Sequence, residues 1–495
     1  MNPIDLVVLV SYIALVVGVG IFFARRSGTS DGFMKASGRL PGWVIGLSLF
    51  GTYLSSNTFI GVPGKAYATN WNAFVFSLSI PIAVLIATRW FVKFYRNTGE
   101  ISAYEHLENR FGLWARVYAV ICYLLTQVAR SATIMLGVAI GLQQVTGWNL
   151  TTIILVAGVL ITAYTLIGGI EAVIWTDAIQ SIVLTLGAIL IVCLLLFQHP
   201  EGASGAIQIA RDNAKFSLGD WSLTDLTSST VWVVLVYGLF INLTNFGIDQ
   251  NYIQRYHTAE TENAAKRSLW IGAILYVPVS LLFFMIGSLL FSFYKTAPDD
   301  IAAIQSMAED RKFEDSILPH FMTNYLPAGV GGLILAALAA AAMSTIDTSL
   351  NSSATITLRD LWGRLVRRSR EVSELESMKV LRISTIAWGI VGTGTALLLT
   401  GNAKNVLDIW WQLSGIFAGG MLGLFLLGLI VRKAGNAAAA TGVAIGVIVV
   451  FWLSSSWVPV HLKPVLHSNL TIVAGTLAIF LVGLLVSRLA PCRNP

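Results

Sequence analysis

The sequence predicts an all-α polytopic membrane protein with about thirteen transmembrane helices. Hydrophobic residues make up 55% of the 495 residues and charged residues only 12%, whereas soluble domains carry about 25% charged residues. Apolar runs of about 20 residues, the length that crosses a bilayer, recur along the chain. One of these runs carries adjacent polar residues at its middle, which predicts a break in a membrane helix.

The apolar runs are separated by short polar loops, and no segment has the composition of a separate soluble domain. The first run begins MNPIDLVVLV, without a basic segment or a cleavage site, so we expect an uncleaved helix rather than a signal peptide. The polar loops at 198–229 and 295–326 have room for short surface helices. The predicted spans lie near residues 4–24, 43–68, 72–92, 116–146, 150–168, 173–197, 230–252, 268–294, 327–354, 381–400, 405–431, 436–457 and 468–488.

Basic residues concentrate in alternate loops, namely those after the first, third, seventh, ninth and eleventh predicted spans. Arg255, Lys266 and Arg267 form one such group after the seventh span. The positive-inside rule makes these loops cytoplasmic, which places the N-terminus outside and the C-terminus inside. The net charge of +6 is spread over these loops, so it indicates membrane topology and no nucleic-acid partner.

The second span contains the segment FGTYLSSNTFIGVPGK, from Phe50 to Lys65. Its central hydroxyl and amide groups find no hydrogen-bond partner in lipid, and glycine and proline surround them. Non-helical backbone at membrane depth is tolerated only where it faces protein or a water-filled cavity. A span interrupted by glycine or proline indicates a transporter's binding site. The alternative is a continuous helix whose hydroxyls bond their own carbonyls.

The ninth span turns polar after an alanine-rich half. Ser344, Asp347, Thr348 and Asn351 recur every three or four residues, so they share one helix face, and Thr345 adds another hydroxyl. Hydroxyl and carboxylate oxygens suit a hard cation. The alternative is hydrogen bonding between helices.

Three other spans carry polar residues, which are functional candidates by default. Asp177 in the sixth span has no lysine or arginine within helical reach, so we expect a bound cation beside it, the alternative being an acid at the interface. Arg130 lies near the middle of the fourth span and requires an acid, either internal or from a ligand. Asn242 and Asn245 mark a polar interruption of the seventh span, five spans after the first, as an internal repeat would give.

Three segments together resemble the sodium:solute symporter family: SLFGTYLSSNTFIGVPGKAY in the second span, MSTIDTSLNS in the ninth and IDQNYIQRY after the seventh. This family includes sodium-coupled sugar, proline and sialic acid transporters. The resemblance runs from the first span to about the eleventh. It implies one transmembrane transporter domain over 1–495 with an inverted five-plus-five repeat core (LeuT-like). The expected repeats are about 43–197 and 230–431, with peripheral helices at 4–24, 436–457 and 468–488.

The resemblance implies at least one sodium ion between the second and ninth spans. Its ligands would be the backbone oxygens of Gly51, Leu54 and Ala341 and the hydroxyls of Ser344 and Thr345. A second sodium site would use Asp177 and ninth-span hydroxyls, at positions where this chain has Asp347 and Thr348.

Within the family, the bacterial sodium/sialic acid symporters are similar in pairing an LSS-x-TF-x-x-x-P-x-KAY break with a fourth-span arginine. There the substrate carboxylate is held at positions matching Ser55, Thr58 and Arg130. Since Asp177 and Asp347 are assigned to cations in this scheme, a ligand carboxylate is the preferred partner for the arginine. Ser77 stands where a third-span polar residue would hold the sugar, and Asn242 and Asn245 are further candidate substrate ligands.

The leading functional hypothesis is a sodium-coupled symporter that imports an anionic sugar, with sialic acid (N-acetylneuraminate) as first candidate. Symport of a neutral sugar or another small carboxylate is one alternative, and a membrane sensor on a transporter scaffold is another. An enzyme is not expected, because no histidine lies beside a candidate nucleophile. We expect a protein that works as a monomer in a bacterial inner membrane, with sodium, the sugar and lipid as its partners.

Overall fold

The computed structural model describes residues 2–24, 28–308, 313–368, 370–401, 406–455, 458–459 and 464–489. Within these ranges the protein is helical, with one isolated bridge between Leu40 and Ala259. Among the described residues, eleven helices are long and apolar enough to cross a membrane. Residues 405, 456 and 457, at the edges of two predicted spans, lie outside the described ranges.

The first ten α-helices cover the N-terminal part of the chain. They are α1 (Pro3–Ala24), α2 (Ser30–Lys35), α3 (Gly42–Tyr53), α4 (Val62–Ala68), α5 (Val75–Ile86), α6 (Val92–Thr98), α7 (Glu105–Phe111), α8 (Leu113–Thr146), α9 (Leu150–Phe197) and α10 (Gly202–Asp212).

The other ten helices follow. They are α11 (Val231–Ile248), α12 (Gln250–Thr258), α13 (Glu262–Lys295), α14 (Pro298–Ala308), α15 (Glu314–Asn324), α16 (Val330–Ile356), α17 (Glu374–Leu398), α18 (Val406–Ile430), α19 (Asn436–Ser454) and α20 (Leu470–Leu489). Helix α10 lies in the first long polar loop and α14 and α15 lie in the second. Helix α15 is not a surface helix, because its residues from Asp315 to Met322 are buried.

The range of α9, 48 residues long, covers two predicted spans and contains two helical segments joined at a kink. Its hydrogen bonding runs across a kink at Gly169, whose φ of 57° and ψ of −174° are not helical. Positive φ is a conformation that glycine adopts without steric cost. The kink lies between the predicted spans 150–168 and 173–197, although the total of thirteen spans stays a prediction.

The predicted break in the second span is confirmed. Helix α3 ends at Tyr53, and Leu54 is extended, with φ −90° and ψ 103°. Helical structure resumes as a π-type segment, Asn57–Gly61, which leads into α4. The continuous-helix alternative is therefore wrong. The carbonyls of the last turn of α3 lose their helical partners at such a break and are available to other donors or to cations.

The seventh span is also interrupted, but at Asp249 rather than at Asn242–Gly247, which lie inside α11. Asp249 is extended, with φ −82° and ψ 119°, and its side chain accepts a hydrogen bond from the Asn251 backbone N–H to begin α12. An aspartate at this position is a strong helix-starting signal. The span therefore continues to Thr258. Arg255, which the loop-charge argument placed in a cytoplasmic loop, is instead fully buried in α12.

Helix α16 lies at the centre of the molecule and contacts α1, α3, α8, α9, α12 and α17. All its residues from Ile334 to Ile356 are buried. Its alanine-rich first half allows neighbouring backbones to approach closely. Helices α19 and α20 pack against each other and against α18, away from this centre. The polar face of α16 is thus surrounded by protein rather than lipid.

The close packing of α13 on α4 gives a testable prediction. A Cβ at Gly287 would lie 2.3 Å from the Pro63 carbonyl oxygen and 2.7 Å from the Ala66 Cβ. We expect Gly287→Ala to force α13 away from α4 and to lower the free energy of unfolding by about 1–3 kcal/mol. Unfolding of the purified protein in detergent micelles measures the change.

Gly394→Ala in α17 is the matched control, because a Cβ there meets no atom within 4 Å. Alanine is favoured over glycine in helices by up to about 1 kcal/mol, so this variant should keep or gain stability. Equal stability of the two variants would contradict the predicted steric conflict.

Candidate substrate and cation site

A cavity lies beside the break in the second span and brings together five of the six predicted substrate residues. Ser55 and Thr58 come from the break, Ser77 from α5, Arg130 from α8 and Asn245 from α11. Aromatic side chains supply much of the remaining wall. The other lining residues are Thr52, Tyr53, Asn57, Val62, Ala73, Phe76, Ile134, Ile241, Tyr252, Tyr276, Ser280, Phe284, Thr345, Leu407, Trp410 and Trp411.

Asn242, the sixth predicted substrate residue, is not among the lining residues. Its amide nitrogen donates to Ser79 Oγ over 3.0 Å, and its oxygen accepts from the Tyr53 hydroxyl over 2.9 Å. It therefore holds Tyr53, a cavity residue, in place. Ser77 lines the cavity but is also bonded, over 2.7 Å, to Ser280.

The sequence left open whether the acid beside Arg130 is internal or belongs to a ligand. The structure has an internal acid, and it is Asp249 rather than Asp177 or Asp347. The Arg130 Nη2 lies 3.3 Å from Asp249 Oδ2. Its guanidinium also lies 5.2 Å from the centre of the Trp410 ring, within the range of a cation–π contact. The Nη1 atom is buried and has no hydrogen-bond partner in the part of the chain that the structure describes. Arginine carries five donors in a planar fork, so this side chain retains capacity for an anion.

The structure brings together Gly51, Ala341, Ser344 and Thr345, four of the five residues predicted for the first cation site. The Ser344 hydroxyl lies 3.3 Å from the Gly51 carbonyl oxygen and 3.4 Å from that of Ala341, and the Thr345 hydroxyl lies 3.3 Å from the latter. Hydroxyl hydrogen bonds are usually about 2.7–2.8 Å long. Oxygens placed about 2.4 Å from a hard cation, at right angles, are about 3.4 Å apart. The separations are long for hydroxyl hydrogen bonds and are compatible with oxygens that share a hard cation.

We expected a cation beside Asp177 because its own span offers no basic partner. That reason is wrong, since Arg255 of α12 pairs with Asp177. The Arg255 Nη2 lies 2.8 Å from Asp177 Oδ2, and both side chains are fully buried. The same nitrogen donates to Thr348 Oγ1 over 2.8 Å, and Ser48 donates to Asp177 over 2.6 Å. The other carboxylate oxygen, Oδ1, lacks a hydrogen-bond partner among the described residues.

Asp347 lies beside this pair without joining it. Its Oδ2 accepts a 2.5 Å hydrogen bond from Tyr164 and its Oδ1 one of 2.5 Å from the Thr348 backbone. The carboxylate is fully buried, and no salt bridge to it is present in the described ranges.

The two residues missed by the sequence analysis, Asp249 and Arg255, lie in the quoted segment IDQNYIQRY. Charges directly after an apolar run look like loop residues, since sequence alone does not show that the chain is still inside the protein. A pair of opposite charges six residues apart, next to a predicted break, was the available signal.

The sequence of residues 33–446 matches the model of the sodium:solute symporter family. The chain belongs to the sodium:solute symporter family. It is 32% identical to the sodium/sialic acid symporter NanT of Aliivibrio fischeri over 98% of this chain and 93% of NanT. It is 34% identical to the sodium/sialic acid symporter SiaT of Proteus mirabilis over 90% of this chain and 88% of SiaT. A mouse relative, sodium-coupled monocarboxylate transporter 2, is 28% identical over 91% of this chain and 72% of its own length.

Two solved structures confirm the fold class. A sodium-coupled sialic acid symporter in a substrate-bound, outward-open state superposes with a TM-score of 0.89 at 31% identity, covering all of both chains. Mhp1, a nucleobase-cation-symport-1 family transporter, superposes with a TM-score of 0.55 at 15% identity over 92% of this chain and 94% of its own. The second likeness concerns the fold alone. The protein is thus a multi-pass membrane transporter with the expected LeuT-like architecture.

The buried Arg255–Asp177 pair gives a prediction about stability. Removing one partner of a buried ion pair leaves a charge uncompensated and costs about 3–5 kcal/mol. We therefore expect Arg255→Met to lower the free energy of unfolding in micelles by that amount. Adding Asp177→Leu removes both charges and should recover most of the loss.

The exposed pair Arg367–Glu376 is the control, with side chains 46% and 21% exposed. Arg367→Met should cost no more than about 1 kcal/mol, as exposed pairs do. If Arg255→Met cost as little as Arg367→Met, the buried pair would not be holding the helices together.

Proposed function

We propose that the protein is a sodium-coupled symporter that imports an anionic sugar, with sialic acid as its substrate. The observation that carries this proposal is Arg130 in the cavity wall, buried and with an unpartnered Nη1. Ser55 and Thr58 line the same cavity. The relatives from Aliivibrio fischeri and Proteus mirabilis, at 32% and 34% identity, are sodium/sialic acid symporters.

The chemistry of the cavity suits a sugar acid. A guanidinium binds a carboxylate in a charge-assisted, two-point contact, and the hydroxyls of Ser55 and Thr58 complete its oxygen shell. Asn245 and Ser77 offer polar groups for sugar hydroxyls, and the rings of Tyr53, Tyr252 and Trp411 supply apolar surface. Mostly apolar walls with a few placed polar groups are typical of small-molecule sites.

Sodium is transported cargo, and we place its first site at Gly51, Leu54, Ala341, Ser344 and Thr345. Thr345 also lines the substrate cavity, so the two sites share a wall. A sodium ion that orders the break between α3 and α4 would preform the sites of Ser55 and Thr58. Each ligand would then raise the affinity of the other, because thermodynamic coupling is reciprocal.

A second sodium ion would lie near Asp177, Asp347 and Thr348. The unpartnered Asp177 Oδ1 and the unpaired Asp347 carboxylate favour a cation there, whereas Arg255 beside Asp177 opposes one. We therefore propose one sodium ion at the first site and a second that is held by Asp347, the position where this chain carries an additional acid.

We further propose that residues 43–197 and 230–431 form the two inverted repeats. The breaks at Leu54 and Asp249, each in the first span of its repeat, support this division. Transport would then occur by rocking of one repeat unit against the other around the central site. We place the protein, as a working monomer, in a bacterial inner membrane, with the N-terminus outside and the C-terminus in the cytoplasm, as the loop charges indicate.

Transport of another small carboxylate is the second candidate. The observation in its favour is the likeness to the mouse sodium-coupled monocarboxylate transporter 2. Arg130 would serve any carboxylate, whereas the bulky polar remainder of sialic acid requires the side of the cavity near Ser77 and Asn245.

Uptake into proteoliposomes tests the substrate class. Losing a charge-assisted contact to a buried arginine costs about 2–5 kcal/mol, so Arg130→Ala should reduce sialic acid uptake by at least tenfold. Arg130→Lys keeps the charge but loses the planar fork and should be clearly impaired. The wild type should prefer N-acetylneuraminate to its methyl ester and to simple monocarboxylates. If the ester or glucose were taken up equally well, Arg130 would be structural and the substrate a neutral sugar.

The sodium site is tested separately. Ser344→Ala and Thr345→Ala each remove one oxygen ligand, so they should raise the sodium concentration for half-maximal uptake much more than the substrate KM at saturating sodium. Ser349→Ala is the control, since its hydroxyl bonds back to the Thr345 carbonyl within α16 over 2.9 Å. Uptake at the same rate when choline replaces sodium would rule out sodium coupling.

A further inference from the structure

Helix α12 lies between the substrate cavity and the second candidate cation site, and each of its ends bonds to one of them. Asp249, at its beginning, contacts Arg130 of the cavity. Arg255, six residues later, bonds Asp177 and Thr348. One short helix therefore connects a substrate ligand to the cation candidates through two ion pairs.

The first ion pair is arranged for competition. Asp249 uses Oδ1 to accept the Asn251 N–H over 2.8 Å, which starts α12, and Oδ2 to contact Arg130 Nη2 over 3.3 Å. The second contact is longer than the usual 2.7–2.9 Å of a charge-assisted hydrogen bond. Asp249 contacts the arginine but is not among the residues that line the cavity. A substrate carboxylate that binds the guanidinium at two points, through Nη1 and Nη2, would therefore compete with Asp249 for Nη2.

The second ion pair fixes the other end of the helix firmly. Arg255 donates to Ser48 over 2.9 Å in addition to its bonds with Asp177 and Thr348, so it joins α3, α9 and α16. Its remaining Nη1 donates over 2.7 Å to the Asn251 carbonyl, within α12. Displacement of α12 would disturb the contacts with Ser48, Asp177 and Thr348 together.

The helix between the two pairs is enclosed, so it has to move as one body. Residues Gln250–Tyr256 are all buried. Asn251 donates to Gln127 of α8 over 3.0 Å, and Gln254 donates to Asn351 of α16 over 3.0 Å. Close-packed elements of this kind shift between discrete arrangements rather than deforming gradually.

We propose that Asp249 is a positioning residue that couples substrate binding to cation binding by competing for Arg130. When the substrate carboxylate engages Arg130, the tie to Asp249 weakens, and α12 passes this change to Arg255 and hence to Asp177 and Thr348. Loosening of Arg255 favours a cation at those oxygens, and by reciprocity the cation favours the substrate. This inference rests on the proposed function, because it requires an anionic substrate and sodium.

The decisive variant is Asp249→Asn. Asparagine starts helices as well as aspartate does, so the variant keeps the beginning of α12 and removes only the negative charge. Dissociation constants of N-acetylneuraminate are measured in detergent with sodium and with choline. In the wild type, sodium should tighten binding by a factor in the usual allosteric range, about 5- to 150-fold. In Asp249→Asn, binding in choline should become tighter, because Arg130 has lost its competitor, and the sodium factor should fall towards one.

Asp249→Glu gives a prediction of opposite sign. Its longer side chain brings the carboxylate nearer to Arg130, so binding in choline should weaken and the sodium factor should rise. Asp360→Asn is the control for loss of a buried acid, since Asp360 pairs with Arg116 and lies outside both candidate sites. It should leave the sodium factor at the wild-type value. Thermal unfolding of each variant in detergent shows that it is folded.

Each of the two Asp249 variants is sufficient to test the inference. A wild-type sodium factor in Asp249→Asn, or tighter binding in choline by Asp249→Glu, would overturn the inference. Equal loss of the factor in Asp360→Asn would overturn it too, since it would indicate a general effect of destabilisation. If the wild type showed no sodium-dependent binding of the acid, the proposed function would fail first.

Discussion

The structure depends on the compensation of buried charge. Arg255 and Asp177 are both fully buried and lie 2.8 Å apart, in a protein surrounded by lipid, where an uncompensated ion is very costly. Their pairing holds α12 against α9, and further bonds from Arg255 reach α3 and α16. Four elements that are far apart in the sequence are thus fixed around one guanidinium. The polar face of α16 lies next to this point.

The two breaks in the helices follow from the same constraint. Backbone that leaves a helix inside a membrane has to find polar partners within the protein. At Leu54 the released carbonyls face the hydroxyls of α16, with Ser344 3.3 Å from Gly51. At Asp249 the side chain itself accepts the free N–H of Asn251 and reaches Arg130. The first break therefore places backbone carbonyls beside the hydroxyls of α16, and the second places a carboxylate beside Arg130.

The candidate substrate and cation sites are neighbours because the two helix breaks, at Leu54 and Asp249, are neighbours. Thr345 lines the substrate cavity and belongs to the proposed sodium ligands, while Arg130 lines the cavity and contacts the start of α12. A ligand at either place acts on elements that the other uses. Coupled transport requires a free-energy link between the sites, and in the proposed function that link would run through these shared side chains. Asp347, bonded to Tyr164, adds an acid at the edge of the same region.

The sequence by itself determined the membrane class, the approximate spans, the break at Leu54–Ser55 and most of the cavity and cation candidates. The membrane class, the spans and the break depend on local hydropathy and on polar groups that lipid cannot satisfy, and both are visible in a short window. The roles of the individual cation and carboxylate ligands were instead implied by the resemblance to the sodium:solute symporter family. The tertiary structure alone decided that Arg255 is buried, that Asp249 starts a new helix inside the protein, and that Asn242 supports Tyr53 instead of facing the cavity. Partners such as Asp177 and Arg255 are 78 residues apart, and pairing at that separation is set by helix packing, which no local pattern encodes.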